Sequence, residues 1–257
     1  MSHHLVELRD LSYTYPDATE ALRAVSFLIT HGESVALVGA NGAGKSTLLM
    51  HLGGVLLPQS GEVRIGEVPV TRATLPEIRR SVGMVFQDAD DQLFMPTVYE
   101  DIAFGPLNLG LPAEEVERRV ADALARVGAE GLRARPSHHL SGGEKRNVAI
   151  ATVLAMRPDI LVMDEPSSNL DPLARKRLIG LLVSFAHTKI IATHDLDLVL
   201  DVCQRTIVMH QGRITADGPT LEVFRDDALL GRSHLEKPLR MQACPVCSSA
   251  TTAFRSS

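Results

Sequence analysis

No tryptophan occurs in the 257-residue chain, and tyrosine and cysteine occur only three times each. Three thiols, Cys203, Cys244 and Cys247, do not make a disulfide scaffold at this length. Stability must then come from an apolar core, and the cysteine usage suits a reducing compartment. No apolar run reaches the roughly 18 residues of a membrane span, and the N-terminus lacks an export-signal pattern. The chain therefore reads as soluble, and a membrane role has to pass through a partner. Basic excess is missing too. The formal net charge of -5 offers nucleic acid no attractive field. What remains is an ordinary globular balance, 45% hydrophobic against 22% charged, long enough for one large domain or a domain with a subdomain.

Short β-rich stretches come first, over 5–10, 24–29 and 34–38. The last, "SVALV", is a continuous apolar run of the kind that forms a strand buried on both faces. Further buried strands are expected in "SVGMVF" (81–86), "DILVMDEP" (159–166), "KIIATHD" (189–195) and "RTIVMHQGR" (205–213), with an edge strand and turns in "GEVRIGEVPV". Helices are expected over 45–54 and 112–128. In the second, Val116, Val120, Ala123, Leu124 and Val127 recur on one face. Strands alternating with helices predict an α/β fold with a mostly parallel sheet covered on both faces. Beyond about Arg232 the periodicity is lost, and residues 232–257 read as a flexible tail.

Three motifs carry chemistry. The stretch "GANGAGKST" (39–47) follows a buried strand and opens a helix, the context that a phosphate-binding loop requires. Gly39, Asn41, Gly42, Ala43 and Gly44 leave backbone N–H groups free to wrap a phosphate. Lys45 reaches the β/γ-phosphates, the Ser46 hydroxyl suits Mg²⁺, and Thr47 continues into the helix. Asp164 and Glu165 end the apolar run 160–163. A carboxylate at a central strand end beside such a loop can hold Mg²⁺, and its neighbour can polarise an attacking water. The third motif is "LSGGE" (140–144). Ser141 is a good N-cap, Glu144 completes a capping box, and Gly142 and Gly143 bare the backbone. Taken alone this is a well-capped helix. With one phosphate site already complete, a second anion site asks for a second molecule.

In this order and spacing the motifs resemble the nucleotide-binding subunits of ABC transporters, over about residues 5–225. "GANGAGKST" is similar to the Walker A loop, "VFQDADDQLF" to the Q-loop and "LSGGE" to the signature. "ILVMDEP" is similar to Walker B, "SSNLDP" to the D-loop and "IIATHD" to the H-loop. The resemblance implies a P-loop NTPase core with an N-terminal antiparallel β subdomain and an inserted helical subdomain at about 90–157. The whole nucleotide-binding domain would span 1–231. It implies ATP and Mg²⁺, and an ATPase whose two subunits, identical or related, associate head to tail on integral membrane subunits. The chain would sit peripherally on the cytoplasmic face of the membrane, with no nucleic-acid partner.

Residue by residue, the resemblance gives Tyr15 the adenine-stacking place, with Tyr13 as the alternative. It gives Gln87 contact with Mg²⁺ or water, Asp164 the Mg²⁺, Glu165 the role of catalytic base and His194 contact with the γ-phosphate. Ser141, Gly142 and Gly143 would bind the partner's γ-phosphate, and Asp171 would cross the dimer interface. The stretch 88–111 is similar to the energy-coupling-factor group, most of all its cobalt- and nickel-uptake members, with vitamin-uptake members sharing part of it. Departures are Asn147, where arginine is common, and Asn169, where a small residue is frequent; neither removes a catalytic group. "CPVC" (244–247) supplies half the ligands of a structural zinc site. A non-transport ABC ATPase acting on nucleic acid would ordinarily fuse two cassettes or insert a coiled coil, and neither is present.

Overall fold

The computed structural model describes residues 6–242. In chain order it contains β1 (Val6–Thr14), β2 (Glu20–Ile29), β3 (Ser34–Val38), α1 (Lys45–Leu52), β4 (Ser60–Ile65), β5 (Val68–Pro69), α2 (Leu75–Ser81) and β6 (Val82–Val85). Three helices follow, α3 (Val98–Asn108), α4 (Ala113–Val127) and α5 (Gly142–Met156). The chain then returns to the sheet with β7 (Ile160–Asp164), α6 (Pro172–Ser184), β8 (Thr188–Ala192), α7 (Leu196–Val202), β9 (Arg205–His210) and β10 (Arg213–Pro219). It closes on the short helices α8 (Thr220–Arg225) and α9 (Asp227–Arg232).

Two sheets organise these elements. An antiparallel sheet of order β2-β1-β4-β5 covers a six-stranded sheet of order β10-β9-β3-β8-β7-β6, which is parallel except for the β9–β10 hairpin. The apolar runs are explained by burial on both faces. In β3, Val35 and Leu37 point into the core shared with α1 and the antiparallel sheet, while Ala36 and Val38 point into the core beneath α3–α5. In β7, Ile160 and Val162 take the first side and Leu161 and Met163 the second. Helix α4 buries the five residues its periodicity singles out, and Gly128 ends it in the left-handed region at φ 69°.

The topology builds the site. Leu37 at the end of β3 and Asp164 at the end of β7 both pair with Ala192 of the intervening β8. The loop after β3 and the acidic pair after β7 therefore emerge at the same edge of the sheet.

The tail needs correction. Residues 233–242, expected to hang loose, stay on the body. Ser233 is buried, and the backbone N–H groups of Leu239 and Arg240 donate to Asp197 of α7. The Arg240 guanidinium reaches both Asp197 and Asp201. Leu235 and Met241 pack against the core, Lys237 pairs with Asp227, and the long-range charge cluster on α7 adds to these, contacts that periodicity does not register. Cys244 and Cys247 lie outside the described residues. Among the described residues, no helix is long and apolar enough to cross a membrane.

Candidate functional site

The phosphate loop is shaped by two glycines. A Cβ at Gly39 would collide with the Met209 carbonyl on β9, and one at Gly44, where φ is 100°, would lie 2.5 Å from the Ala21 carbonyl oxygen. No side chain caps α1, so its first-turn N–H groups are left for an anion. Asn41, Gly42 and Ala43 form the turn between these glycines. Lys45 is buried and folds back over the loop, its Nζ donating to the carbonyls of Gly39 at 2.7 Å and Ala40 at 3.2 Å. Burial holds the Lys45 ammonium below the usual lysine range, and the charges of Glu165 and Asp164 oppose that shift. The Tyr15 hydroxyl lies 3.1 Å from the Thr47 hydroxyl, which places this tyrosine against the loop. Tyr13, edge-on to Tyr15 at 5.1 Å and to His51 at 4.8 Å, packs against the core instead.

Asp164 is 3% exposed, and its Oδ1 has no hydrogen-bond partner. Burial pushes its carboxyl above the usual range; a bond from Ser46 and the charges of Lys45 and Arg146 pull back, and Glu165 adds to the rise. A buried orphan acceptor is rare in a folded protein and asks for a ligand. Ser46, Asp164 and Gln87 line one cavity of about 750 Å³. Their hydroxyl, carboxylate and amide oxygens form the hard donor set that Mg²⁺ prefers, so the residues present fit that ion.

Glu165 sits in the left-handed region at φ 46°, a conformation that costs a non-glycine residue on the order of 1 kcal/mol or more and that the surroundings must enforce. They do. Its N–H donates to the Ala192 carbonyl at 2.8 Å. Its Oε2 accepts from the Thr193 hydroxyl at 3.0 Å, the His194 N–H at 3.3 Å and His194 Nδ1 at 2.8 Å. Glu165 is buried while the His194 ring is 73% exposed, so the histidine reaches from the carboxylate towards solvent.

The remaining expected residues divide between two places. Gly142 lines the cavity that also holds Ser46, Gln87 and Asp164, so the signature is not wholly turned away from this chain's own carboxylate. Ser141, Gly143 and Asp171 line a separate depression of about 300 Å³. Ser141 caps α5 through a complete capping box, and Asp171 caps α6, accepting from the Ala174 N–H at 2.8 Å.

One residue escaped the sequence reading. Arg146 is 3% exposed on α5 and donates to the carbonyls of Phe86 and Gln87. Its place four residues before Ile150 and seven before Val153, both buried, is the signal that marked it as inward-facing.

Comparison with known proteins identifies the family and the fold. The model of the ABC transporter family matches residues 22–168. A protein of Geobacter sulfurreducens, provisionally named an ABC transporter ATP-binding protein, is 67% identical over 96% of this chain and 99% of its own length. The energy-coupling factor transporter ATP-binding protein EcfA of Methanothermobacter thermautotrophicus is 51% identical over 91% of this chain and 77% of its own. Among solved structures, CbiO1 of Clostridium perfringens, part of the ABC transporter complex CbiONQ, is 41% identical with a TM-score of 0.77, covering 90% of this chain and 94% of its own. A dimeric ATP-binding cassette in a post-hydrolysis state with ADP and Pi is 29% identical with a TM-score of 0.77, covering 84% of this chain and 98% of its own.

Proposed function

The chain belongs to the ABC transporter family, as an ATP-binding ATPase subunit similar to those of the energy-coupling-factor group, and we propose that it powers uptake of Co²⁺ or Ni²⁺ through head-to-tail closure of two cassettes on a membrane complex. The observation that carries the ATPase part is the meeting of three things at one sheet edge: an uncapped Gly-rich loop, a buried lysine and an orphaned buried carboxylate.

In this reading Lys45 exchanges the carbonyls of Gly39 and Ala40 for the β/γ-phosphates. Its charge is already desolvated in the free protein, so little solvent has to be displaced. Tyr15 offers its ring face to the adenine. Mg²⁺, held by Ser46, Asp164 and Gln87, would offset negative charge on the phosphates. Glu165 takes a proton from the attacking water; Thr193 and His194 fix its Oε2 and with it the direction of the other oxygen. His194, exposed beyond Glu165, contacts the γ-phosphate. Ser141 and Gly143 serve the nucleotide of the second cassette, with Gly142 between the two surfaces and Asp171 at the crossing. The separate depression at Ser141, Gly143 and Asp171 supports that division.

The cargo reading rests on residues 88–111 and their similarity to cobalt- and nickel-uptake members. Phe94 and Phe104, both exposed, meet edge to face at 5.0 Å, and Leu107 is exposed beside them. Such a patch suits an apolar partner surface. Vitamin uptake is the second reading, favoured by the part of that stretch shared with vitamin-uptake members. The test joins purification from membranes, with identification of the co-purifying subunits, to uptake of labelled Co²⁺ and Ni²⁺. Accumulation that requires ATP and disappears in Glu165→Gln supports the metal reading. Vitamin accumulation without metal uptake overturns it.

A further inference from the structure

The β6–β7 ladder ends at the pair Val85–Met163, so Phe86 and Gln87 lie beyond the last paired residue. Their backbone is held instead from the helical side. Arg146 on α5 donates to the Phe86 carbonyl at 2.5 Å and to that of Gln87. The Phe86 N–H donates to the Gln92 side-chain oxygen at 3.2 Å. The Gln92 amide in turn donates to the Ala149 carbonyl and the Thr152 hydroxyl of α5, each at 2.7 Å. Both polar groups of the Phe86 backbone are thus satisfied through α5, the helix that begins at Ser141.

Arg146 is costly where it sits. It is the only arginine among the described residues that is almost wholly buried, and no carboxylate forms an ion pair with it there. The charges facing it are Asp88, Asp164 and Glu165. An apolar residue of similar volume would fill this space at lower cost, so packing alone does not account for a guanidinium. Its two donors in a fixed fork do what no apolar side chain can: they grip two successive carbonyls.

We propose that Arg146, assisted by Gln92, is a positioning residue that makes the backbone of Gln87 travel with α5 rather than with the sheet. When a second cassette engages Ser141 and Gly143, any shift of α5 is passed to Gln87 through these bonds. The inference rests on the reading of Gln87 as a residue that acts at the nucleotide.

The test is a double-mutant cycle on the full chain, comparing Arg146→Gln, Arg146→Lys, Gln87→Ala and Arg146→Gln with Gln87→Ala. Nucleotide affinity of the isolated chain is read by a fluorescent ATP analogue, and turnover by phosphate release. Arg146→Gln is expected to leave affinity within about twofold and to lower kcat by roughly 10- to 100-fold, the scale of a misplaced group remote from the chemistry. Arg146→Lys recovers part of that loss. In the Gln87→Ala background the Arg146→Gln change adds nothing further. The proposal is overturned if the two losses multiply, if affinity falls as far as kcat, or if Arg146→Gln turns over normally. Normal turnover in Gln87→Ala with a defective Arg146→Gln would remove the Gln87 reading and this one with it. Multiplied losses would remove this one alone. Should Arg146→Gln not fold, Gln92→Leu takes its place in the same cycle, with the same outcomes.

Discussion

Replacing Asp164 with asparagine should make the ligand-free protein more stable while destroying its turnover. The wild-type carboxylate is 3% exposed with Oδ1 unpartnered, and an unsatisfied buried acceptor costs about 1–3 kcal/mol, more when charged. Against this stand the attractions of Lys45 and Arg146, which the amide loses. Asparagine can keep the bond from Ser46 and removes the desolvated charge, leaving a net gain of about 1–2 kcal/mol. At about 2–4 °C per kcal/mol for a domain of this size, Tm rises by roughly 2–8 °C. The pH dependence has a definite sign. Burial raises the Asp164 pKa above the usual 3.8, so the folded state holds the proton more tightly than the unfolded state. This group's stabilising contribution is full below 3.8 and lost as pH rises through the folded value. The variant's advantage is therefore largest at neutral pH and narrows on acidification. Scanning calorimetry in chelator, without nucleotide, over a series from about pH 7 down towards about pH 4 measures both effects. With Mg²⁺ and ATP the order reverses, because only the parent gains the binding contribution. A ligand-free variant that melts below the parent at neutral pH, or a gap that does not change with pH, would refute the reasoning.

Mixing Lys45→Ala with Ser141→Arg chains should restore ATP-dependent association that neither shows alone, since one composite site in the mixed dimer is intact; light scattering that finds no association beyond the single variants removes the head-to-tail arrangement. Burial pushes the Cys203 thiol up to about 12, so at about pH 8 only about one molecule in ten thousand carries the thiolate. Alkylation mapped by mass spectrometry should leave Cys203 unmodified in the folded protein and modify it in urea, and labelling at a free-thiol rate in the native state contradicts the placement.

The α/β architecture was legible because buried strands betray themselves. The run 34–38 is apolar throughout because Val35 and Leu37 face one core while Ala36 and Val38 face the other. The five-residue face of α4 was readable for the same reason, a periodic burial demand. Features that depend on pairing across the fold were not. Arg240 finds Asp197 some forty residues away, and nothing local distinguishes it from a solvated arginine. Arg146 is satisfied by carbonyls sixty residues earlier, and nothing next to it in the chain marks that pairing. The phosphate loop and acidic pair were found as separate motifs. Their meeting was expected from the acidic pair's place at a central strand end, and the strand order, in which β8 stands between β3 and β7, gives its geometry. The orphaned oxygen of Asp164 has no trace in the sequence at all.

That strand order also sets a timetable. β3 leaves the ribosome early, yet the strands that flank it, β8 and β9, are made about 150 and about 170 residues later. At about 5–20 residues per second the wait is roughly 10 to 35 s. Throughout it, β3 has no partner in its own sheet, and the carbonyl of Met209 that crowds Gly39 does not yet exist. The nucleotide pocket is therefore among the last parts of the molecule to be assembled. A nascent chain halted before β8 carries every residue of "GANGAGKST" but lacks both strands that pair with β3 and the Thr193 and His194 that hold Glu165. The full set of groups around the glycine-rich loop exists only once β9 has been made.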